Sequence, residues 1–138
     1  MGSLGSSDGE KRLPVESVNT EAGCACALLA SEQYGYVDVR MWEDFDRGHV
    51  AGARNVPYYL SVNPHGKERN LDFVDQVAAL HSTHDRLIVG CRSGVRSRLA
   101  TADLVAAGFT KVKNLEGGYL SLPKSVSYKQ QAALANLH

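Results

Sequence analysis

The sequence predicts an α/β fold of three layers, with a central parallel sheet of about five strands covered by helices on both faces. Five short runs of β-forming residues alternate with stretches whose apolar residues recur at helical spacing, and this rhythm calls for parallel strands joined by right-handed crossovers. The run Arg86 to Gly90, Arg-Leu-Ile-Val-Gly, is the most strand-like in the chain and reads as buried in the sheet. A chain of 138 residues suits one domain, burying roughly two thirds of the surface its unfolded form exposes, with no need of disulfides or a structural metal.

The first element expected is a strand at Val15 to Val18. Asn19 or Thr20 then caps a helix that runs to about Gln33 and repeats Ala22, Cys26, Leu29 and Ala30. A second strand follows Gly35 through Tyr36-Val37-Asp38-Val39-Arg40, and Trp42 to Asp46 reads as one helical turn stopped by Gly48. Ala53 to Val56 is a third strand, ended by Pro57. The stretch from Tyr58 to Asn70, with Pro64 and Gly66 and no sustained period, reads as a long surface loop of the kind that often serves a site. Asn70 caps a helix with Phe73, Val74, Val77, Ala78 and Leu80 as its apolar stripe and His81 in its last turn. After the Arg86 to Gly90 strand, a helix places Leu99, Ala100, Leu104 and Ala107 on one face and closes on Gly108, and Lys111 to Leu115 forms the last strand.

Residues 1–12 are rich in Gly, Ser and charge and are expected to be a flexible tail. The domain then spans residues 13–124, and residues 125–138 form a C-terminal tail, either weakly helical or frayed.

Fifteen basic and fifteen acidic residues cancel, so no global field recruits nucleic acid or an anionic membrane, and recognition of charge must be local. Three cysteines are too few and too odd for a secreted disulfide scaffold, which argues for a reducing compartment. With no apolar run long enough to span a bilayer and no signal or transit pattern at the start, a cytoplasmic location is expected, a processed plastid form being the alternative.

Chemistry concentrates at Cys91. It follows the strand and precedes Arg92-Ser93-Gly94-Val95-Arg96-Ser97, where Gly94 permits a tight loop and a helix begins directly after. Such a loop turns its backbone N–H groups inward around an anion. The helix N-terminus and the cations Arg92 and Arg96 favour a thiolate, so Cys91 is expected to be reactive near neutral pH. Two guanidinium groups beside a merely structural core thiol would have no purpose, whereas an anionic substrate needs them.

The segment Cys-Arg-Ser-Gly-Val-Arg-Ser after Leu-Ile-Val-Gly resembles the active-site loop of rhodaneses. Asp38-Val39-Arg40 with Glu43, Phe45, Gly48-His49-Val50, Gly52-Ala53 and Asn55-Val56-Pro57 resembles that family's first signature, and Gly108-Phe109, Val112 and Leu115-Glu116-Gly117-Gly118-Tyr119 its closing part. The resemblance covers about Val15 to Leu122, and the short form with the Pro57 to Asn70 loop is similar to plant stress- and senescence-associated sulfurtransferases. One departure is Leu122, where the family often has a tryptophan.

The resemblance implies a ping-pong transfer of sulfur. The Cys91 thiolate attacks the outer sulfur of thiosulfate, sulfite leaves, and cyanide or a thiol acceptor such as glutathione or a thioredoxin-like protein takes the persulfide sulfur. It implies no cofactor. In this scheme the amides from Arg92 to Arg96, those of Ser93, Gly94 and Val95 among them, stabilise the sulfur, and Arg92 and Arg96 hold sulfonate oxygens. Ser97 either donates to the sulfur or caps the helix, and capping is the expected use. Asp38 and Arg40 flank Val39 and share a strand face near the loop, either as an ion pair that fixes the site or with Arg40 on the substrate. His49 is expected to make a structural hydrogen bond.

Cys24 and Cys26 are two apart on a helix and project in different directions, so they fill space rather than bind metal, the sharper alternative being a resolving thiol. His81 and His84 lack the further ligands a zinc site needs, and no metal is expected. Two rival functions share the fold: arsenate reduction or phosphate-ester hydrolysis, and non-catalytic binding. Only four residues separate Cys91 from Arg96, one fewer than in cysteine phosphatases of this fold, which suits sulfur better. Non-catalytic members usually lack the cysteine.

Overall fold

The computed structural model describes residues 19–31 and 33–123. The strand expected at Val15 to Val18 and both expected tails lie outside the described residues. Five strands form one sheet in the order β1-β7-β6-β2-β3, and every pairing is parallel. They are β1 (Asn19–Thr20), β2 (Tyr34–Asp38), β3 (Arg54–Asn55), β6 (Arg86–Gly90) and β7 (Val112–Leu115). The helices are α1 (Ala22–Ala30), α2 (Trp42–Arg47), α3 (Phe73–Leu80) and α4 (Val95–Ala106), with a 3₁₀ turn at Tyr119–Ser121.

Side chains alternate along the central strands and build two cores. Val37, Val39, Leu87, Val89 and Val112 pack with Phe73 and Val77 of α3 and Ala100 and Leu104 of α4. On the opposite face, Tyr36, Ile88 and Leu115 pack with Ala25 of α1, Val50 and Leu122. The expected covering of both sheet faces is thus present.

Several local expectations are corrected. The stretch read as a loop is an antiparallel hairpin, β4 (Tyr59–Asn63) and β5 (Gly66–Arg69), turned at Pro64-His65. Its residues are mostly exposed, so the burial-driven alternation that reveals a strand is missing. Tyr58 anchors the hairpin, since its hydroxyl donates to Asp103 Oδ2 of α4 at 2.7 Å.

Asn19 and Thr20 are strand residues rather than caps; Glu21 holds the N-cap of α1 without a side-chain bond, and the helix stops at Ala30 instead of Gln33. Asn70 stands two residues upstream of the α3 N-cap, which is Asp72. Its Oδ1 still accepts the Asp72 amide at 3.1 Å, while its Nδ2 donates to the Pro57 carbonyl and to Gln76 Oε1, both at 2.8 Å. His81 lies at the C-cap of α3, just past the last turn. In α4, Leu99 is exposed, and the buried face is Ser97, Ala100, Thr101 and Leu104. Periodicity alone could not find that stripe because half of it is polar.

The connections leaving β2 and β6 diverge. These neighbours pair from Tyr34–Arg86 to Asp38–Gly90, yet the chain leaves β2 for β3 on one side and β6 for β7 on the other. Ligands of open parallel sheets bind at such a switch point, beyond the carboxyl ends of the strands. Arg40 and Cys91 stand there, just beyond the two strand ends.

Candidate active site

Cys91 is the first residue after β6 and is buried, with 1 % of its surface exposed. Gly94 at φ +103 turns the chain so that α4 begins at Val95, and its amide donates to Cys91 Sγ at 3.1 Å. The Ser97 amide donates to the same sulfur at 3.4 Å. The cradle therefore reaches one residue past the expected window of Arg92 to Arg96. Burial pushes the thiol pKa up, but hydrogen bonds from the Ser97 hydroxyl and from the Ser97, Gly94 and Ser93 amides outweigh it, leaving the pKa below the ordinary cysteine value.

Ser97 does not cap the helix. It is the third residue of α4, whose N-cap is Gly94, and its hydroxyl donates to Asn114 Oδ1 of β7 at 2.5 Å. Asn114 Nδ2 in turn donates to Asn19 Oδ1 of β1 at 2.9 Å. The Ser97 amide meets the sulfur, and its hydroxyl is among the groups that lower the Cys91 pKa, so two acceptors share one hydroxyl hydrogen.

A second segment holds the loop from outside. The amides of Tyr119 and Leu120 donate to the carbonyls of Cys91 and Arg92 at 2.7 and 3.1 Å. Gly118, at φ +67, lies against the loop so closely that a Cβ there would stand 2.3 Å from the Arg92 carbonyl oxygen. This clamp was not read from the residues themselves; the Gly117-Gly118 pair was its only local signal.

Asp38 and Arg40 form a buried ion pair. Arg40 Nη2 donates to Asp38 Oδ2 at 2.7 Å and to the Gly48 carbonyl at 2.6 Å, and its Nε spans both carboxylate oxygens at 3.0 and 3.1 Å. The Tyr119 ring lies over the guanidinium, 4.3 Å from its centroid to Cζ. Arg40 thus pairs with Asp38 and also lines the cleft beside the loop. His49 donates from or accepts at Nδ1 toward the Phe45 carbonyl only as its tautomer allows, and at 2.8 Å with a carbonyl partner the ring nitrogen is the donor. Its ring stacks on Phe45 at 3.8 Å, so it supports α2 and the turn after it.

Beside the Cys91 loop opens a cleft of about 820 Å³. Arg92, Val95 and Arg96 line it from the loop and α4, Arg40 and Gly48 from beyond β2, and Tyr59, Val62 and Lys67 from the hairpin. Arg92 is exposed and Arg96 half-buried, and among the described residues neither forms an ion pair. Arg47 is paired with Asp44 at 3.2 Å, whereas Arg92, Arg96 and Lys67 have no ion-pair partner among the described residues and lend the cleft positive charge. Leu122, at the position where a tryptophan was noted as usual, sits 9 % exposed at the cleft edge and in the second core.

Cys24 is exposed and Cys26 half-buried on α1, both reduced. Among the described residues no group of three or more His, Cys, Asp or Glu side chains is placed to hold a metal. His81 instead approaches Asp85 at 3.4 Å.

Fold and site together define an α/β protein with a cysteine thiolate held by backbone amides at a sheet switch point. The chain belongs to the Rhodanese-like domain family, whose profile matches residues 22–122. It is 47 % identical over 98 residues to thiosulfate sulfurtransferase 16, chloroplastic, of Arabidopsis thaliana, covering 71 % of this chain and 79 % of the relative. It is 42 % identical over 92 residues to senescence-associated protein DIN1 of Raphanus sativus, covering 67 % of this chain and 50 % of the relative. Among solved structures, the human single-domain sulfurtransferase TSTD1 superposes with a TM-score of 0.57 at 27 % identity, covering 74 % of this chain and 91 % of that one.

Proposed function

We propose that the protein is a thiosulfate sulfurtransferase that carries sulfane sulfur as a persulfide on Cys91. The observation that carries this reading is the Cys91 sulfur accepting from the Gly94 and Ser97 amides, in a loop whose Arg92 and Arg96 line the adjoining cleft. The Cys91 thiolate attacks the outer sulfur of thiosulfate, a Cys91–S bond forms, the donor S–S bond breaks, and sulfite departs with the electron pair. An acceptor thiolate or cyanide then attacks the terminal sulfur and releases the Cys91 thiolate. The lowered pKa of Cys91 raises its thiolate fraction, and the thiolate attacks without a general base.

Arg92 and Arg96 draw the sulfonate oxygens, and the loop amides stabilise negative charge on sulfur without reorganising. Asp38, Arg40 and His49 act as support: the ion pair holds Arg40 beneath Tyr119, and Tyr119 clamps the loop. Glutathione or a thioredoxin-like protein fits as the thiol acceptor, because the cleft is far larger than thiosulfate requires. No helix among the described residues is long and apolar enough to cross a membrane. A cytoplasmic site of action is the expectation from the sequence, and the chloroplastic relative supports the plastid alternative.

The test is incubation with thiosulfate followed by intact mass and sulfite release, with Cys91→Ser alongside. One added sulfur on the wild type alone supports the reading. Turnover of arsenate or an aryl phosphate with no sulfur gained would replace it.

A further inference from the structure

Ser97 has one hydroxyl hydrogen and two buried acceptors beside it, Cys91 Sγ and Asn114 Oδ1. Ser97 and Asn114 are 0 % and 1 % exposed, so water does not stand in for either partner from bulk solvent. Asn114 turns its oxygen to Ser97 and its Nδ2 to Asn19 Oδ1 at 2.9 Å. The chain Asn19, Asn114, Ser97 thus runs from β1 across β7 to the helix that starts at the reactive sulfur.

We propose that Asn114 is a positioning residue that competes with Cys91 for the Ser97 hydroxyl hydrogen and so limits how far the thiolate is stabilised. The inference rests on the sulfur-transfer reading for its purpose, though not for its measurement. A thiolate supported by every available donor is abundant but sluggish, since nucleophilicity falls with pKa, and the best attacking thiol has a pKa near ambient pH. The Ser93, Gly94 and Ser97 amides support the thiolate alongside the hydroxyl, and sharing the hydroxyl with Asn114 keeps the sulfur a stronger nucleophile.

Other charged and titratable groups face this site. Tyr36 and Asp38 come from β2, Arg40 from just beyond it, Arg92 and Arg96 from the loop and α4, and Tyr119 from the 3₁₀ turn. All stay constant in the comparison below.

The experiment measures the pH midpoint of Cys91 alkylation by iodoacetamide in chains where Cys91 is the only thiol, with Asn114→Leu introduced with and without Ser97→Ala. With Ser97 present, Asn114→Leu frees the hydroxyl for sulfur and lowers the midpoint by about one unit, because a hydrogen bond to a charged group is worth roughly that much. The plateau rate of the fully ionised thiol falls about threefold at the same time. In the Ser97→Ala chain, Asn114→Leu leaves the midpoint unchanged. If Asn114→Leu does not fold, Asn19→Leu releases the amide's orientation and produces a smaller shift in the same direction.

A midpoint that stays put or rises, or an equal shift with and without the Ser97 hydroxyl, overturns the assignment. Alkylation needs no sulfur donor, so wild-type protein that takes no sulfur from thiosulfate would sink the functional reading while leaving this one to stand or fall on its own midpoints.

Discussion

The backbone amide of Tyr119 donates to the carbonyl oxygen of Cys91 at 2.7 Å, while the Tyr119 ring lies over the Arg40 guanidinium at 4.3 Å. One residue therefore joins the buried ion pair at the end of β2 to the reactive loop at the end of β6. The loop is held from three sides: by α4, by the 3₁₀ turn, and by the ion pair beneath that turn.

The clamp is sensitive at Gly118. An alanine Cβ there would stand 2.3 Å from the Arg92 carbonyl oxygen and 2.6 Å from the Ser93 amide, at a φ of +67 that already disfavours a side chain. The loop must move. Misplacing a reacting group by an ångström costs about 100-fold, and Gly118→Ala is expected to lose about that much kcat/KM for thiosulfate while circular dichroism shows the sheet and helices intact. Full activity in this variant would show that the clamp does not position the loop.

The lowered pKa of Cys91 sets a pH dependence with a definite sign. Alkylation and sulfur uptake rise as pH passes upward through the folded-state pKa, which is lowered from the ordinary cysteine value. Stability follows the same linkage. Because the folded pKa is depressed, the thiolate's contribution is fully present above the unfolded pKa and is lost as pH falls through the folded one. In a Cys91→Ser chain, that part of the pH dependence of unfolding disappears. Urea titrations of both chains across the window from below the folded pKa to about 9 check it.

Asp38 and Arg40 are 1 % and 6 % exposed at their side chains, so removing one partner leaves the other charge buried. Asp38→Ala is expected to cost about 3–5 kcal/mol of stability, read from the urea midpoint at constant slope. A loss below about 1 kcal/mol, the range of exposed pairs, would mean that the pair is not the support proposed for the site.

Much of this was legible because the reactive loop is contiguous in sequence. Cys91 through Ser97 needs only a strand before it and a helix after it to become a sulfur cradle, and Arg86 to Gly90 and Val95 to Ala106 supply both. Asn114 and Tyr119 reach the loop only through tertiary contacts, and their local patterns show no more than a strand and a turn. The hairpin was misread for a related reason. Its strands face solvent and the cleft rather than a core, so Tyr59 to Arg69 lacks the alternation by which β2 and β6 declare themselves. Leu99 erred the other way, because the buried stripe of α4 is completed by Ser97 and Thr101, whose polarity hides it.

The hairpin brings Lys67 to the cleft wall opposite Arg92 and Arg96, where its charge helps to gather anions. Lys67→Glu is expected to raise KM for thiosulfate several-fold and leave kcat close to wild type, because Lys67 is on the wall and not on the sulfur. The effect shrinks as salt is raised, since the residue is exposed and its field is screened. Steady-state kinetics at two ionic strengths decide it; a fall in kcat at unchanged KM would place Lys67 in the chemical step instead.

The central claim is that Cys91 carries the transferred sulfur. Intact mass spectrometry of the protein after thiosulfate, then after an added thiol, tests it most directly. The account predicts one sulfur gained by the wild type, none by Cys91→Ser, and return to the starting mass when the thiol is added. A wild-type mass that never changes, or a sulfur gained equally by Cys91→Ser through Cys24 or Cys26, would contradict it.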